Sequence, residues 1–321
     1  MEYAIILDKI SKSWPGVLAL DEISFQVKKG TIHGFLGPNG AGKSTTMNII
    51  SGLLPPTSGE VKVLGQNVQG LQNETQKFIG FLPEHPPLYL TMKVRDYLEF
   101  VTKINLRKQD YKNFDVNKCV QEIIERCSLQ KVEGRLIGNL SKGFRQRAAI
   151  AAALVTNPEI VILDEPTVGL DPVSIIEIRE LILSLRERHT ILLSTHILHE
   201  VSLLCSDITI INNGRILSSG PIEEIKKTFT LGRVLKTEVE TWSDDKKDYF
   251  FNQFNIDSLD INKKSNSVEL TFYLKDMEDI RTRLSSDLIN MDCGLLAFSE
   301  EKIDIESFFK KITEKDNLNR I

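Results

Sequence analysis

The chain has 321 residues, of which 41% are hydrophobic and 26% charged. The apolar share supports a sizeable core and excludes wholesale disorder, and the length allows one large domain plus a small one. The net charge of −4 argues against nucleic-acid binding as the main business of the molecule.

Taken in order, residues 4–7 and 23–27 read as short strands, separated by a turn at Trp14-Pro15-Gly16. Lys28-Lys29-Gly30 is a turn before a buried strand, Thr31 to Leu36. The stretch Gly37 to Thr45 follows, reading GPNGAGKST, and Thr46 to Ile50 starts a helical pattern. A loop at Leu54 to Gly59 leads to strands at Glu60–Leu64 and Phe78–Leu82. The second of these stops at Pro83-Glu84-His85-Pro86-Pro87, which cannot continue a ladder. From Thr91 to about Leu136 the pattern turns helical, with Val94, Tyr97, Leu98 and Val101, then Val120, Ile123, Ile124 and Cys127, on one face. The polar stretch Asn105 to Asn117 reads as a helix connection.

Leu140-Ser-Lys-Gly-Phe-Arg-Gln-Arg147 opens a further helix, with Ser141 as N-cap. Ile160 to Leu163 is a continuous apolar run, as expected of a central parallel strand buried on both faces, and it ends at Asp164-Glu165. Gly169-Leu-Asp-Pro172 precedes a helix from about Val173 to Arg188. A strand at Thr190–Ser194 ends at Thr195-His196, a helix covers Ile197 to Leu204, and Ile208–Ile211 reads as the last strand before Asn212-Asn213-Gly214. This alternation predicts an α/β parallel sheet. Polarity rises around Lys226 to Gly232. Beyond it the order is strand (Val234–Val239), helix (Asp245–Phe254), strands (Ser258–Ile261, Val268–Leu274), helix (Asp276–Leu284), strand (Gly294–Phe298) and a terminal helix (Ile305–Ile312). That is a βαββαβ arrangement.

The chemistry starts at Gly37 to Thr45, which fits G-x-x-x-x-G-K-[ST]. Glycine lets the backbone N–H groups of Gly37, Asn39, Gly40, Ala41 and Gly42 turn toward phosphate oxygens, with Pro38 a donorless member of the same loop. Lys43 supplies a point charge, Ser44 a hydroxyl for Mg²⁺, and the helix entered at Thr45 its positive N-terminal end. At the C-terminal edge of the Ile160–Leu163 strand, Asp164 suits Mg²⁺, and Glu165 suits orienting and deprotonating a water for attack on a γ-phosphate. His196, at another strand end, either bonds the γ-phosphate or is structural. Ser141 and Gly143 form a second phosphate-binding helix start, which needs another subunit's nucleotide. Trp14 either stacks on a purine ring or is a half-exposed aromatic at a hairpin. The cysteines, Cys119, Cys127, Cys205 and Cys293, include no C-x-x-C pair, so reduced thiols are expected rather than a zinc site or disulfides. The N-terminus is charged too early for a signal peptide, and the uncharged run near Ala148–Val155 is far short of the ~20 residues of a membrane span.

Gly37–Thr45, Leu140–Gln146, Ile160–Pro166, Gly169–Pro172 and His196 follow in the order and spacing of ATP-binding-cassette transporter ATPases. The resemblance covers about residues 1–225. Gly80-Phe-Leu-Pro-Glu-His-Pro-Pro-Leu-Tyr89 is most similar to drug-export and gliding-motility subunits. The resemblance implies a phosphate-loop cassette over residues 1–229, with a helical subdomain at about 86–156, and a ferredoxin-like α+β domain over 230–321. It implies ATP and Mg²⁺ as ligands, Trp14 at the adenine, Glu165 as base, His196 as switch and Asp171 in the loop crossing to a second cassette. That cassette would be identical or a paralogue, and Ser141 and Gly143 would contact its ATP. Membrane-spanning permease subunits on separate chains would hold the pair at the cytoplasmic face of the cell membrane, with export the expected direction. Glu84 stands where most of the family has Gln, a position near metal and attacking water. A DNA-repair member would carry a long coiled coil, and a translation member two cassettes; neither feature occurs in this sequence.

Overall fold

The structure is a computed structural model that describes residues 2–68, 74–105, 114–229, 233–274 and 278–301. The chain forms two compact units, Met1–Ile222 and Glu223–Ile321.

The first unit opens with a long antiparallel hairpin, β1 (Tyr3–Trp14) and β2 (Val17–Lys28). Both strands are 12 residues long, well beyond the short strands expected at 4–7 and 23–27. Their apolar alternation lapses into polar, exposed positions and register shifts after Leu7, which hides the continuing ladder from a periodicity reading. Trp14 pairs with Val17 across Pro15-Gly16, and Gly16 has φ 79°, a left-handed turn that glycine adopts without strain. β4 (Ser58–Val63) and the two-residue β5 (Gln66–Asn67) complete a sheet in the order β2-β1-β4-β5.

A second sheet runs β10-β9-β3-β8-β7-β6. β3 (Ile32–Leu36), β6 (Ile79–Leu82), β7 (Ile160–Asp164), β8 (Thr190–Thr195) and β9 (Asp207–Asn212) are mutually parallel. Every residue of β3, β7, β8 and β9 is buried, which is why their sequences read as unbroken runs. α1 (Lys43–Ile50) follows β3 and buries Met47, Ile49 and Ile50. One apolar cluster joins these to Ile5, Val27 and Val63 of the first sheet and Phe35, Ile162 and Leu192 of the second. α2 (Val94–Asn105), α3 (Val116–Arg126) and α4 (Lys142–Leu154) make the helical block, and α5 (Pro172–Leu185) and α6 (Leu198–Leu204) connect the parallel strands.

Ile208–Ile211 is not the last strand of this unit. β10 (Arg215–Pro221) turns back along β9 after Asn213 and Gly214, at φ 47° and 75°, the two left-handed residues of a tight hairpin. Its half-buried RILSSGP gives no alternation and ends in Gly-Pro, so the sequence carries little strand signal there. α7 (Ile222–Phe229) follows.

The second unit is β11 (Val234–Val239), α8 (Lys246–Gln253), β12 (Ile256–Lys263), β13 (Val268–Leu274), α9 (Arg281–Asn290) and β14 (Leu295–Glu301). The four strands are antiparallel in the order β12-β13-β11-β14. Leu235, Val239, Leu270 and Phe272 pack with Phe250, Leu284 and Leu288 of the helices. α9 lies toward higher numbers than the expected Asp276–Leu284. Leu284 and Leu288, spaced by four, are the pair it buries. The terminal helix expected at Ile305–Ile312 lies outside the described residues.

β6 is pressed onto α4 at Gly80. A Cβ there would stand 2.0 Å from the Ala153 carbonyl oxygen and 2.9 Å from Pro158 Cγ, neither of which is a flexible side-chain end. Gly80→Ala is therefore expected to cost about 3 kcal/mol of stability, read as a lowered midpoint in urea denaturation at unchanged slope.

Candidate active site

The site forms where three adjacent parallel strands, β3, β8 and β7, end side by side. β3 delivers the phosphate-loop residues, β7 delivers Asp164 and Glu165, and β8 delivers Ser194, Thr195 and His196. Asn39, Gly40, Gly42, Lys43, Ser44 and Thr45 line a cleft of about 330 Å³ together with Ala19, Glu84 and Glu165.

Gly42 is the N-cap of α1 with φ 107°. A Cβ there would meet Leu20 Cδ2 at 2.6 Å and the Ala19 carbonyl oxygen at 2.9 Å. Gly37 is equally confined: its Cβ would stand 2.5 Å from the Ile211 carbonyl oxygen. The loop is thus held against β2 and β9 by contacts that only glycine permits. With no side chain at these positions, the N–H groups opening α1 are left clear at its positive end.

Lys43 is 6% exposed, and its ammonium is fully engaged. Nζ donates to the carbonyl oxygens of Gly37 at 2.9 Å and Pro38 at 3.2 Å, and pairs with Glu165 Oε1 at 3.1 Å. Three acceptors therefore meet three N–H donors. Glu165 is 5% exposed, and its backbone sits at φ 49°, an uncommon conformation for a residue with a side chain. Its N–H donates to both the carbonyl and the hydroxyl oxygen of Ser194 at 3.1 Å. Its carboxylate also meets His196 Nδ1 at 3.0 Å. The Ser194 hydroxyl in turn donates to Asp164, which is buried.

Lys43, Glu165, His196 and Asp164 are thus one connected group, while Ser44 and Glu84 line the cleft beside it. Gly37, Pro38 and Ala41 of the loop, like Asp164 and His196, are not in the cleft lining, and Ser141, Gly143, Asp171 and Trp14 are outside it too. Ser141 is exposed and caps α4, its hydroxyl accepting from the Phe144 N–H at 3.4 Å. Asp171 caps α5 and accepts both the N–H (3.0 Å) and the hydroxyl (2.8 Å) of Ser174, which hold its pKa below the usual carboxylate range. Gly143 packs beneath that same Ser174: a Cβ would come within 2.4 Å of its hydroxyl oxygen. So Ser141, Gly143 and Asp171 assemble at the facing ends of α4 and α5. Trp14 sits at the tip of the β1–β2 hairpin, 43% exposed, with Lys12 Nζ 5.4 Å above its ring.

Sequence reasoning missed Ser194, Thr195 and Ala19. The first two passed as strand residues. Their hydroxyls immediately before His196, at a strand end, are the signal that could have found them. Ala19 contributes through position alone, and nothing in its identity marks it.

A glycine-confined anion loop between a central parallel strand and a helix, with two carboxylates ending the neighbouring strand region, defines a phosphate-loop ATPase. A family model described as ABC transporter matches residues 20–168. The bacitracin transport ATP-binding protein BcrA of Bacillus licheniformis is 39% identical over 221 residues, 68% of this chain and 70% of that one. The uncharacterised ABC transporter ATP-binding protein YcbN of Bacillus subtilis is 29% identical over 99% of this chain and its own full length. Among solved structures, the dimeric cassette MJ0796, in a post-hydrolysis state with ADP and Pi, superposes with a TM-score of 0.62 at 25% identity, covering 68% of this chain and 98% of that one. The chain belongs to the ABC transporter family. It is an ATP-binding, ATP-hydrolysing transporter subunit.

Proposed function

We propose that this chain powers an exporter of the drug-export type, and that two cassettes close over ATP to drive separate permease subunits. The observation that carries the reading is the single cluster of Lys43, Glu165 and His196 at the ends of three neighbouring strands. In it, Lys43 draws the β- and γ-phosphates, Glu165 orients and deprotonates the attacking water, and His196 bonds the γ-phosphate. The backbone from Gly37 through Thr45, including Pro38, Asn39, Gly40, Ala41 and Gly42, cradles the phosphates. Trp14 stacks on the adenine.

Mg²⁺ fits this cleft. Ser44 and Glu84 offer oxygen donors in its lining, and Asp164 stands behind it, tied through Ser194 to the Glu165 backbone, while no group of three acidic, His or Cys side chains placed to cage an ion occurs among the described residues. Magnesium commonly keeps phosphate and water oxygens and takes only one or two carboxylates. When bound it supplies positive charge for the triphosphate.

Ser141, Gly143 and Asp171 complete the site of a second cassette, identical or paralogous. Their place outside this chain's own cleft supports that assignment. The permease reading draws support from an apolar surface beside the Pro83–Pro87 segment. Tyr89 and Leu53 are exposed there, and a cleft of about 390 Å³ is lined by Leu53, Pro83, Pro86, Pro87, Tyr97 and Val101. No described helix is long and apolar enough to cross a membrane. In this reading the spanning subunits are other chains and the cassette works at the cytoplasmic face of the cell membrane. Export is favoured by the likeness to the bacitracin transport protein. For the second unit, the strand order supports a ferredoxin-like accessory domain. We place the domain limits at 1–229 and 230–321, a few residues beyond the Ile222–Glu223 division of the compact units.

Two outcomes follow. Glu165→Gln removes the base and keeps a side-chain oxygen that can accept from Lys43, so it should accumulate as an ATP-bound dimer in size-exclusion chromatography with ATP; a folded monomer under those conditions counts against paired closure. Glu84 adds negative charge beside Glu165 in the cleft. Glu84→Gln should therefore change the Mg²⁺ concentration needed for half-maximal phosphate release by about tenfold, and an unchanged Mg²⁺ dependence removes this role.

A further inference from the structure

We propose that Glu200, acting through Thr195, is the positioning residue that holds His196 against Glu165; the inference rests on the roles given to those two residues above.

Glu200 lies in the first turn of α6 and is 1% exposed. Its counter-charge is Arg179 of α5, whose Nη2 lies 3.4 Å from Glu200 Oε1, while Arg179 Nε is buried with no acceptor. A pair with its carboxylate buried, its guanidinium half-buried, so long a bond and an unsatisfied donor is a poor stabiliser, and apolar side chains would fill the same space at lower cost. The other carboxylate oxygen, Oε2, accepts the Thr195 hydroxyl at 3.0 Å. An ionised carboxylate only accepts, so it fixes the direction of that hydrogen. Thr195 Oγ1 is thereby left as an acceptor, and it takes the Ile197 N–H at 3.1 Å.

Thr195 and Ile197 are the two neighbours of His196. The Thr195 carbonyl also receives the Gly37 N–H at 3.3 Å, at the first residue of the phosphate loop. The backbone on both sides of the imidazole is thus pinned by one hydroxyl whose orientation Glu200 dictates. His196 itself is 40% exposed, and the side-chain contact that holds it is Glu165. A shift of its backbone would move Nδ1 directly, and small displacements of a catalytic group are costly to rate.

Steady-state ATP hydrolysis by the full chain tests this. Thr195→Val keeps the shape and removes the hydroxyl. It should lower kcat about tenfold with KM for ATP held within about twofold, because Thr195 is not among the residues that line the cleft. Thr195→Ser, which restores the hydroxyl, should restore kcat. A second variant guards against a folding defect: Arg179→Met with Glu200→Leu removes both charges of the pair. It should leave the urea midpoint no lower while kcat again falls about tenfold. An unchanged kcat in either variant, a parallel change of KM, or failure of Ser to rescue overturns the proposal. His196→Ala run alongside separates the two levels. If it retains full turnover, the role of His196 itself fails and this inference falls with it. If it is impaired while Thr195→Val is not, only the positioning by Glu200 fails.

Discussion

The site depends on a buried ammonium that is already saturated. Lys43 has no room for a fourth strong acceptor: two loop carbonyls and the Glu165 carboxylate occupy its three donors. Removing one partner of such a pair leaves an uncompensated charge, at a cost of about 3–5 kcal/mol. A triphosphate arriving in the cleft offers replacement oxygens, and in the proposed mechanism it takes Lys43 over from Glu165. The same exchange releases the carboxylate toward water. In that mechanism the Lys43–Glu165 pair neutralises the proposed base until phosphate oxygens take the ammonium over.

Everything around this exchange serves to hold it still. The parallel sheet brings the ends of β3, β8 and β7 together, so residues far apart in sequence share one small volume. Gly37 and Gly42 let the loop lie against the Ile211 and Ala19 carbonyls at distances no Cβ tolerates. Ser194 ties Asp164 to the backbone of Glu165, and Glu165 sits in a left-handed conformation that such ties maintain. The buried polar groups form a connected set, which is what makes them affordable inside an otherwise apolar sheet.

Much of this was legible in the sequence. Ile160–Leu163 announced a doubly buried strand by having no polar residue, and GPNGAGKST announced the loop because few other chemistries need that spacing. Ser141 was recognisable as a cap from its place before a helical pattern. What stayed hidden lacks a local signature. β10 is half-buried and irregular, so neither period appears in it. Ser194, Thr195 and Glu200 look like ordinary strand or helix residues, and their partners lie on other elements. The hydrogen bonds that matter at the site span about thirty residues, from Ser194 to Asp164 and from His196 to Glu165. Only the fold closes that distance.

The most direct test of the exchange is a crystal structure of the full chain with Mg²⁺ and a non-hydrolysable ATP analogue. The account predicts that Lys43 Nζ leaves Glu165 for the β- and γ-phosphate oxygens, with the Glu165 carboxylate turned free of it. A structure in which the triphosphate is bound while Lys43 remains paired with Glu165 at the present distance would contradict it.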